Sequence, residues 1–213
     1  MLGRLHVLTD FVFQQRFAHA ELAHLAIAGG ADVIQFRQKT GTARAKLHEL
    51  RPVADACQET QTALLVDDHL DLALAVGADG VHLGQTDLPI PDARRIFGPD
   101  AILGATATTL AQARQAEACG ATYIGFGPVF SGRSKAAPAS TKGLHGLAAV
   151  CAAVSIPVIA IGGVTADRMA DVLDAGAHGV AVMTAISTAH DPEAATRAFR
   201  TAIDAACGVD ASP

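Results

Sequence analysis

The chain has 213 residues, 50% of them hydrophobic, which suits one compact domain with a sizeable core. A net charge of -5 gives no basic footprint for nucleic acid, so any phosphate chemistry has to rest on local groups. Cys57, Cys119, Cys151 and Cys207 show no CxxC spacing, which excludes a disulfide frame or zinc site and fits a reduced protein of the cytoplasm. The opening MLGRLHVLTD lacks a basic segment followed by a long apolar core, and no apolar run is long enough to span a bilayer, so no membrane partner is expected.

In chain order, the apolar run Arg4 to Thr9 reads as a first strand, followed by a polar and aromatic loop and a helix from about Ala18 to Ala28. Val33 to Arg37 is the second strand, and Thr42 is placed to cap the long helix that runs to about Glu59. Ala63 to Val66 and Gly80 to Gly84 are the third and fourth strands, with an amphipathic helix between them. Pro91 starts a short helix toward Phe97, Ala101 to Ala105 is the fifth strand, and Thr109 with Gln112 has capping-box spacing before a helix ending near Cys119. Tyr123 to Gly127 is the sixth strand. The stretch Ser131 to Lys142 is too rich in Gly, Ser, Ala, Pro and Lys to be regular, and a loop of that length is more often functional than idle. A helix from about Leu144 leads to the seventh strand, Pro157 to Ile161. Thr165 is then placed to cap a helix to about Ala175, Gly179 to Met183 is the eighth strand, and Asp191 with Pro192 opens the last helix.

Four junctions repeat: Gly30-Ala31-Asp32, Gly77-Ala78-Asp79, Gly120-Ala121-Thr122 and Gly176-Ala177-His178 each follow a helical pattern and open a strand. A Gly past a helix end takes positive φ and returns the chain to a strand within a few residues, the mark of repeated βα units. Eight such units with near-continuous apolar strands predict an α/β fold, a single-domain (β/α)8 barrel over residues 1–207 with a loose tail at 208–213. An open doubly wound sheet is the alternative, but the GxGxxG opening that would favour it is missing.

Active sites of such barrels lie where the strands end, so the residues there define the chemistry. Asp67, Asp68 and Asp87 stand at the ends of strands three and four, where oxygen ligands would suit a hard cation such as Mg²⁺; a helix cap and a polar turn are the blander reading. At the end of strand two, Gln35, Arg37 and Lys39 alternate onto one face and suit an anionic, hydrogen-bonding ligand. Gly162 and Gly163 after strand seven, with Met183 and Thr184 after strand eight, occupy the usual phosphate position of the fold. Lys135 in the long loop is placed to meet a second anion. His82, mid-strand, reads as a polar-network histidine, and His178 falls at the wrong end of its strand.

QFRQK, VDDHLDLALAVGADGVHLGQTDLP, YIGFGPVF, IPVIAIGGVT and GVAVMTAI, in this order and spacing, resemble the thiamine phosphate synthase family over nearly the whole chain. The resemblance implies a transferase of thiamine biosynthesis. It joins hydroxymethylpyrimidine diphosphate to thiazole phosphate, or its carboxylate, with release of pyrophosphate by a Mg²⁺-assisted dissociative mechanism. Carried over by motif, Gln35, Arg37, Lys39 and Lys135 would hold the diphosphate, Asp68 and Asp87 the Mg²⁺, and Gly163, Met183 and Thr184 the thiazole phosphate. Thr106 replaces a Ser usual in the family and keeps its hydroxyl. Two departures stand out. Asp67 replaces an Asn that contacts the pyrimidine, and the loop's Thr-x-Thr-Lys reads Gly132-Arg133-Ser134-Lys135. The alternatives are a thiazole tautomerase-like isomerase, which would rely on a His where this chain has Thr106-Ala107-Thr108, and a non-catalytic paralogue that binds thiazole phosphate. The partners implied are the small-molecule substrates, and a homo-oligomer is compatible with the sequence.

Overall fold

The computed structural model describes residues 2–132 and 140–208. The expected tail from 209 onward and loop residues 133–139, with Ser134 and Lys135, lie outside the described residues. Strands β1 (Leu5–Thr9), β2 (Val33–Phe36), β3 (Ala63–Asp67), β4 (Gly80–Leu83), β5 (Ile102–Ala107), β6 (Tyr123–Phe126), β7 (Val158–Ile161) and β8 (Gly179–Val182) close into a parallel barrel. The seam is β1 against β8, with Leu5 opposite Val180. Around it run α1 (His19–Ala28), α2 (Ala43–Thr60), α3 (Leu70–Val76), α4 (Ile90–Phe97), α5 (Leu110–Ala118), α6 (Gly143–Cys151), a 3-10 turn (Ala166–Arg168), α7 (Met169–Asp174), α8 (Thr184–Ser187) and α9 (Pro192–Ala206). This is the (β/α)8 barrel expected from the sequence. Among the described residues, no helix is long and apolar enough to cross a membrane.

The repeated junctions explain how each unit is clipped to the next. Gly30, Gly77, Gly120 and Gly176 all take positive φ, at 93, 66, 85 and 95°. The residue after each Gly-Ala then reaches a neighbouring strand. Asp32 accepts from the Arg4 and Leu5 amides, Asp79 from Leu64 N, and Thr122 Oγ1 from Leu103 N. His178 pairs through Nε2 with Leu2 O, which confirms it as a structural residue of the N-terminal face.

Caps form where expected at Thr42, Thr109 and Asp191, whose side chains accept from Ala45, Gln112 and Ala194 N. Four local expectations differ. Gln112 turns its oxygen to the Thr108 amide and hydroxyl, so the box does not close on Thr109. Thr165 makes no cap bond, because the chain after it first winds as a 3-10 turn. The residue before α3 is His69, with Asp68 in a left-handed turn at φ 65°, so Asp68 is not the cap. Strand β5 continues through Ala107, which puts Thr106 inside the strand and aims it into the barrel.

Alternation along the strands divides the core in two. Leu5, Val7, Ile34, Phe36, Val66, Val81, Leu103 and Val180 face the helices. Leu8, Val33, Leu65, Tyr123, Ile159 and Ala181 fill the barrel itself. Above that apolar plug the inward positions turn polar, and the site is built there.

Candidate active site

A cavity of about 640 Å³ opens at the C-terminal end of the barrel. One wall is apolar, formed by Leu8, Phe130, Ile159, Ile161, Ala181 and Met183. The opposite wall carries Gln35, Arg37, Lys39, Asp67, Asp68, Asp87 and Thr106. All seven were singled out from the sequence. Gly132 also lines the cavity. Gly163 and Thr184 stand one residue beyond the lining residues Gly162 and Met183. Gly163, at φ 66°, lies so close to the next loop that a Cβ there would be 2.6 Å from Ser131 O.

The charged groups form a chain along the rim. Arg37 pairs with Asp10 and brings Nε to 3.3 Å from Asp67 Oδ2; Lys39 pairs with Asp68 and lies 3.4 Å from Asp67. Burial pushes Asp67 up to about 6, although Lys39 and Arg37 pull the other way, since neither cation comes closer than 3.3 Å. The close pair is Lys39 with Asp68. Burial opposes its charges, but Asp67 and then Asp68 hold Lys39 above its ordinary value, and Lys39 holds Asp68 below its own. Asp87 Oδ2 accepts from Gly84 N at 2.7 Å, which fixes that carboxylate at the end of β4.

Beneath the rim lies a buried network that the sequence reading only touched through His82. Asp67, His82, Gly104 and Tyr123 are register partners across β3 to β6, which makes His82 and Tyr123 neighbours across Gly104. Tyr123 Oη lies 3.2 Å from Gln35 Nε2 and 2.8 Å from His82 Nδ1, and His82 Nε2 is 2.8 Å from Thr106 Oγ1. Gln35 Nε2 can only donate, so Tyr123 accepts from it, and neutral His82 donates through one ring nitrogen and accepts through the other. In the tautomer where Tyr123 gives its proton to Nδ1, His82 donates from Nε2 to Thr106 and leaves the Thr106 hydroxyl proton for the cavity. Burial lowers His82 to about 4 and raises Tyr123, so both stay neutral at physiological pH. Gly104 and Gly125 make room for the rings: a Cβ would lie 2.5 Å from His82 Nδ1 at the first and 2.8 Å from Cε1 at the second.

Two carboxylate oxygen donors, Asp68 and Asp87, face the same cavity. Among the described residues, no group of three or more His, Cys, Asp or Glu is arranged to hold a metal unaided. Mg²⁺ is commonly bound by one or two carboxylates, with phosphate oxygens and water completing the shell. The donor set therefore fits Mg²⁺ brought together with a phosphorylated ligand.

The family model for thiamine monophosphate synthase matches residues 7–186. The chain belongs to this family. It is 61% identical over 203 residues to the thiamine-phosphate synthase of Salinibacter ruber, covering 95% of this chain and 89% of that one. The thiamine-phosphate synthase of Moorella thermoacetica is 46% identical over 188 residues, 88% of this chain and 90% of the relative. The solved thiamine phosphate pyrophosphorylase of Pyrococcus furiosus superposes with a TM-score of 0.86 at 36% identity, covering 95% of this chain and 96% of that structure. Membership makes the chain a transferase of thiamine biosynthesis acting on small molecules, as the sequence resemblance implied.

Two features of the site were not read from the sequence. Asp10, 1% exposed at the end of β1, is the partner of Arg37; its signal was a strand ending in Asp, the pattern already noted at Asp67. Tyr123 was read only as a strand residue, and its polar role needs the barrel register to become visible.

Proposed function

We propose that this cavity joins hydroxymethylpyrimidine diphosphate to thiazole phosphate, with the diphosphate at the Arg37 and Lys39 rim and the ring against the Gln35, Thr106 and Tyr123 level. The supporting observation is the polarity profile along β2, where the neutral Gln35 precedes the charged Arg37 and Lys39 in a cavity that also carries an apolar wall. A molecule with a polar ring at one end and a diphosphate at the other matches that profile.

Bond cleavage in this reaction leaves negative charge on the departing pyrophosphate and a pyrimidine-stabilised cation for the thiazole nitrogen to capture. Arg37 and Lys39 would stabilise the leaving charge, and Lys135 is added on the resemblance alone. The thiazole phosphate is assigned to Gly163, Met183 and Thr184, where β7 and β8 end and α8 begins. The apolar wall from Leu8 to Met183 would keep water from the cation. Gly132 and Ser134 are assigned to the loop side of the diphosphate. Asp67 sits where it can accept from an exocyclic amine.

The lining carries three carboxylates, Asp67, Asp68 and Asp87, against two cations, Arg37 and Lys39, and Asp10 stands behind Arg37. A diphosphate entering this balance needs more positive charge. Mg²⁺ held by Asp68 and Asp87 would supply it as Lewis-acid stabilisation of the leaving group. The unpaired cysteines Cys57, Cys119, Cys151 and Cys207 support a cytoplasmic setting.

The test is pyrophosphate release from the purified protein given both substrates, with Mg²⁺, with a chelator, and with Mg²⁺ restored. Release that needs both substrates and the metal, with thiamine phosphate formed in equal amount, is the expected outcome. Thiazole phosphate binding without release would select the non-catalytic reading, and isomerisation of the thiazole alone would select the tautomerase.

A further inference from the structure

The carboxylate of Asp10 is 1% exposed and has two attachments. Oδ1 accepts from Val12 N at 2.5 Å and Oδ2 pairs with Arg37 Nη1. Arg37 is held on a second side by Asp67, 3.3 Å from Nε, and its own amide donates to Thr9 O at 3.1 Å. A guanidinium is a rigid planar fork, so carboxylates at Nη1 and Nε fix its orientation and leave the Nη2 edge for another anion. Among the described residues, no partner is placed on Nη2. Asp10 itself lies outside the cavity lining, whereas Arg37 is part of it.

The segment that carries Asp10 is also braced. Gln14 Nε2 donates to Phe17 O, Phe17 N donates back to Gln14 Oε1, and Arg16 reaches the carbonyls of Ala189 and His190 beyond α8. Phe11 packs on the His19 ring at 4.1 Å, and His19 on Phe36 at 4.4 Å, one residue before Arg37. The carboxylate is thus fixed from the β1 side independently of any ligand.

We infer that Asp10 is a positioning residue for the transfer reaction, one that presents the Arg37 guanidinium to the diphosphate without touching it. The inference rests on the proposed placement of the diphosphate at Arg37. The test is a double-mutant cycle of Asp10→Asn and Arg37→Ala, read as KM for each substrate, kcat, and Kd for inorganic pyrophosphate with Mg²⁺. Asn keeps the oxygen that accepts from Val12 N, so the turn is retained. The expected result for Asp10→Asn is about a tenfold weaker pyrophosphate Kd and a similar rise in KM for the pyrimidine diphosphate, with KM for thiazole phosphate within about twofold. In the Arg37→Ala background the same change should add less than about twofold. Equal effects in both backgrounds would mean that Asp10 supports only the fold, and tighter pyrophosphate binding by Asp10→Asn would mean that it acts as a charge brake; either overturns the inference. If Arg37→Ala leaves pyrophosphate affinity unchanged, the placement of the diphosphate fails instead. Should Asp10→Asn not fold, Asp10→Glu completes the same cycle and has to obey the same non-additivity.

Discussion

Gly104→Ala is the sharpest probe of the buried network, because Gly104 lies between His82 on β4 and Tyr123 on β6 in the sheet register. A Cβ at this position would stand 2.3 Å from Tyr123 Cζ, 2.4 Å from its oxygen and 2.5 Å from His82 Nδ1. Carbon atoms settle at about 3.5–4.0 Å, so each ring would have to retreat by roughly 1 Å. Tyr123 is 1% exposed and meets the His6 ring edge-on at 5.3 Å, so it has little room to do so. Overpacking of this kind costs about 1–3 kcal/mol. For a domain of this size that lowers the melting temperature by roughly 3–10 °C. The retreat also parts Tyr123 from His82, and His82 is the hydrogen-bond partner of Thr106. Losing one such hydrogen bond at the site is worth about 1 kcal/mol, or roughly a fivefold fall in kcat/KM. Scanning calorimetry and steady-state kinetics on the same preparation would measure both. A Gly104→Ala protein that melts within about 1 °C of the parent at unchanged kcat/KM would refute the idea that the missing Cβ makes the network possible.

Two further predictions concern pH. Burial lowers His6, His19 and His82 from 6.5 to about 4, so each is neutral in the folded protein. A base depressed in this way contributes stability that is complete above about 6.5 and is lost as pH falls toward 4. The ceiling is on the order of 3 kcal/mol per histidine, so urea unfolding should show a loss of several kcal/mol between about pH 6.5 and 4.5, and a flat profile there would contradict it. Asp67 has the opposite sign: raised to about 6, it costs stability increasingly as pH rises from 3.8 through 6. Asp67→Asn should therefore gain up to about 3 kcal/mol near pH 7.5, lose that advantage below about pH 4, and turn over faster than the parent. A gain that persists at low pH, or a slower enzyme, would count against this account.

The barrel was legible in the sequence because its signals are local. A Gly that takes positive φ after a helix, an apolar run and a capping side chain are each encoded within a few residues, and Gly30, Gly77, Thr42 and Asp191 behave as read. The charged rim was legible for the same reason, since alternation along β2 and its extension puts Gln35, Arg37 and Lys39 on one side. What stayed hidden depends on neighbours far away in the chain. Asp10 acquires its meaning from Arg37, 27 residues on, and Tyr123 from Gln35, 88 residues back. Thr165 failed as a cap because a 3-10 turn intervenes, a choice between two helical windings that its side chain does not decide.

The alternation that packs the barrel also sets an axis for the ligand. Along β2 the inward positions run from Val33 to Gln35 to Arg37, and along β3 from Leu65 to Asp67. Each step of two residues raises the chain by about 6.6 Å. Polarity therefore rises from hydrocarbon through neutral hydrogen bonding to full charge within about two such steps. A ligand whose charge is all at one end would lose favourable contacts if it entered reversed, because the diphosphate would meet Leu8 and Ile159 where no cation is placed among the described residues. Orientation is then decided by where charge can be tolerated before any specific hydrogen bond forms. Arg37, locked by Asp10 at the upper end of that axis, is the position at which this choice would be made.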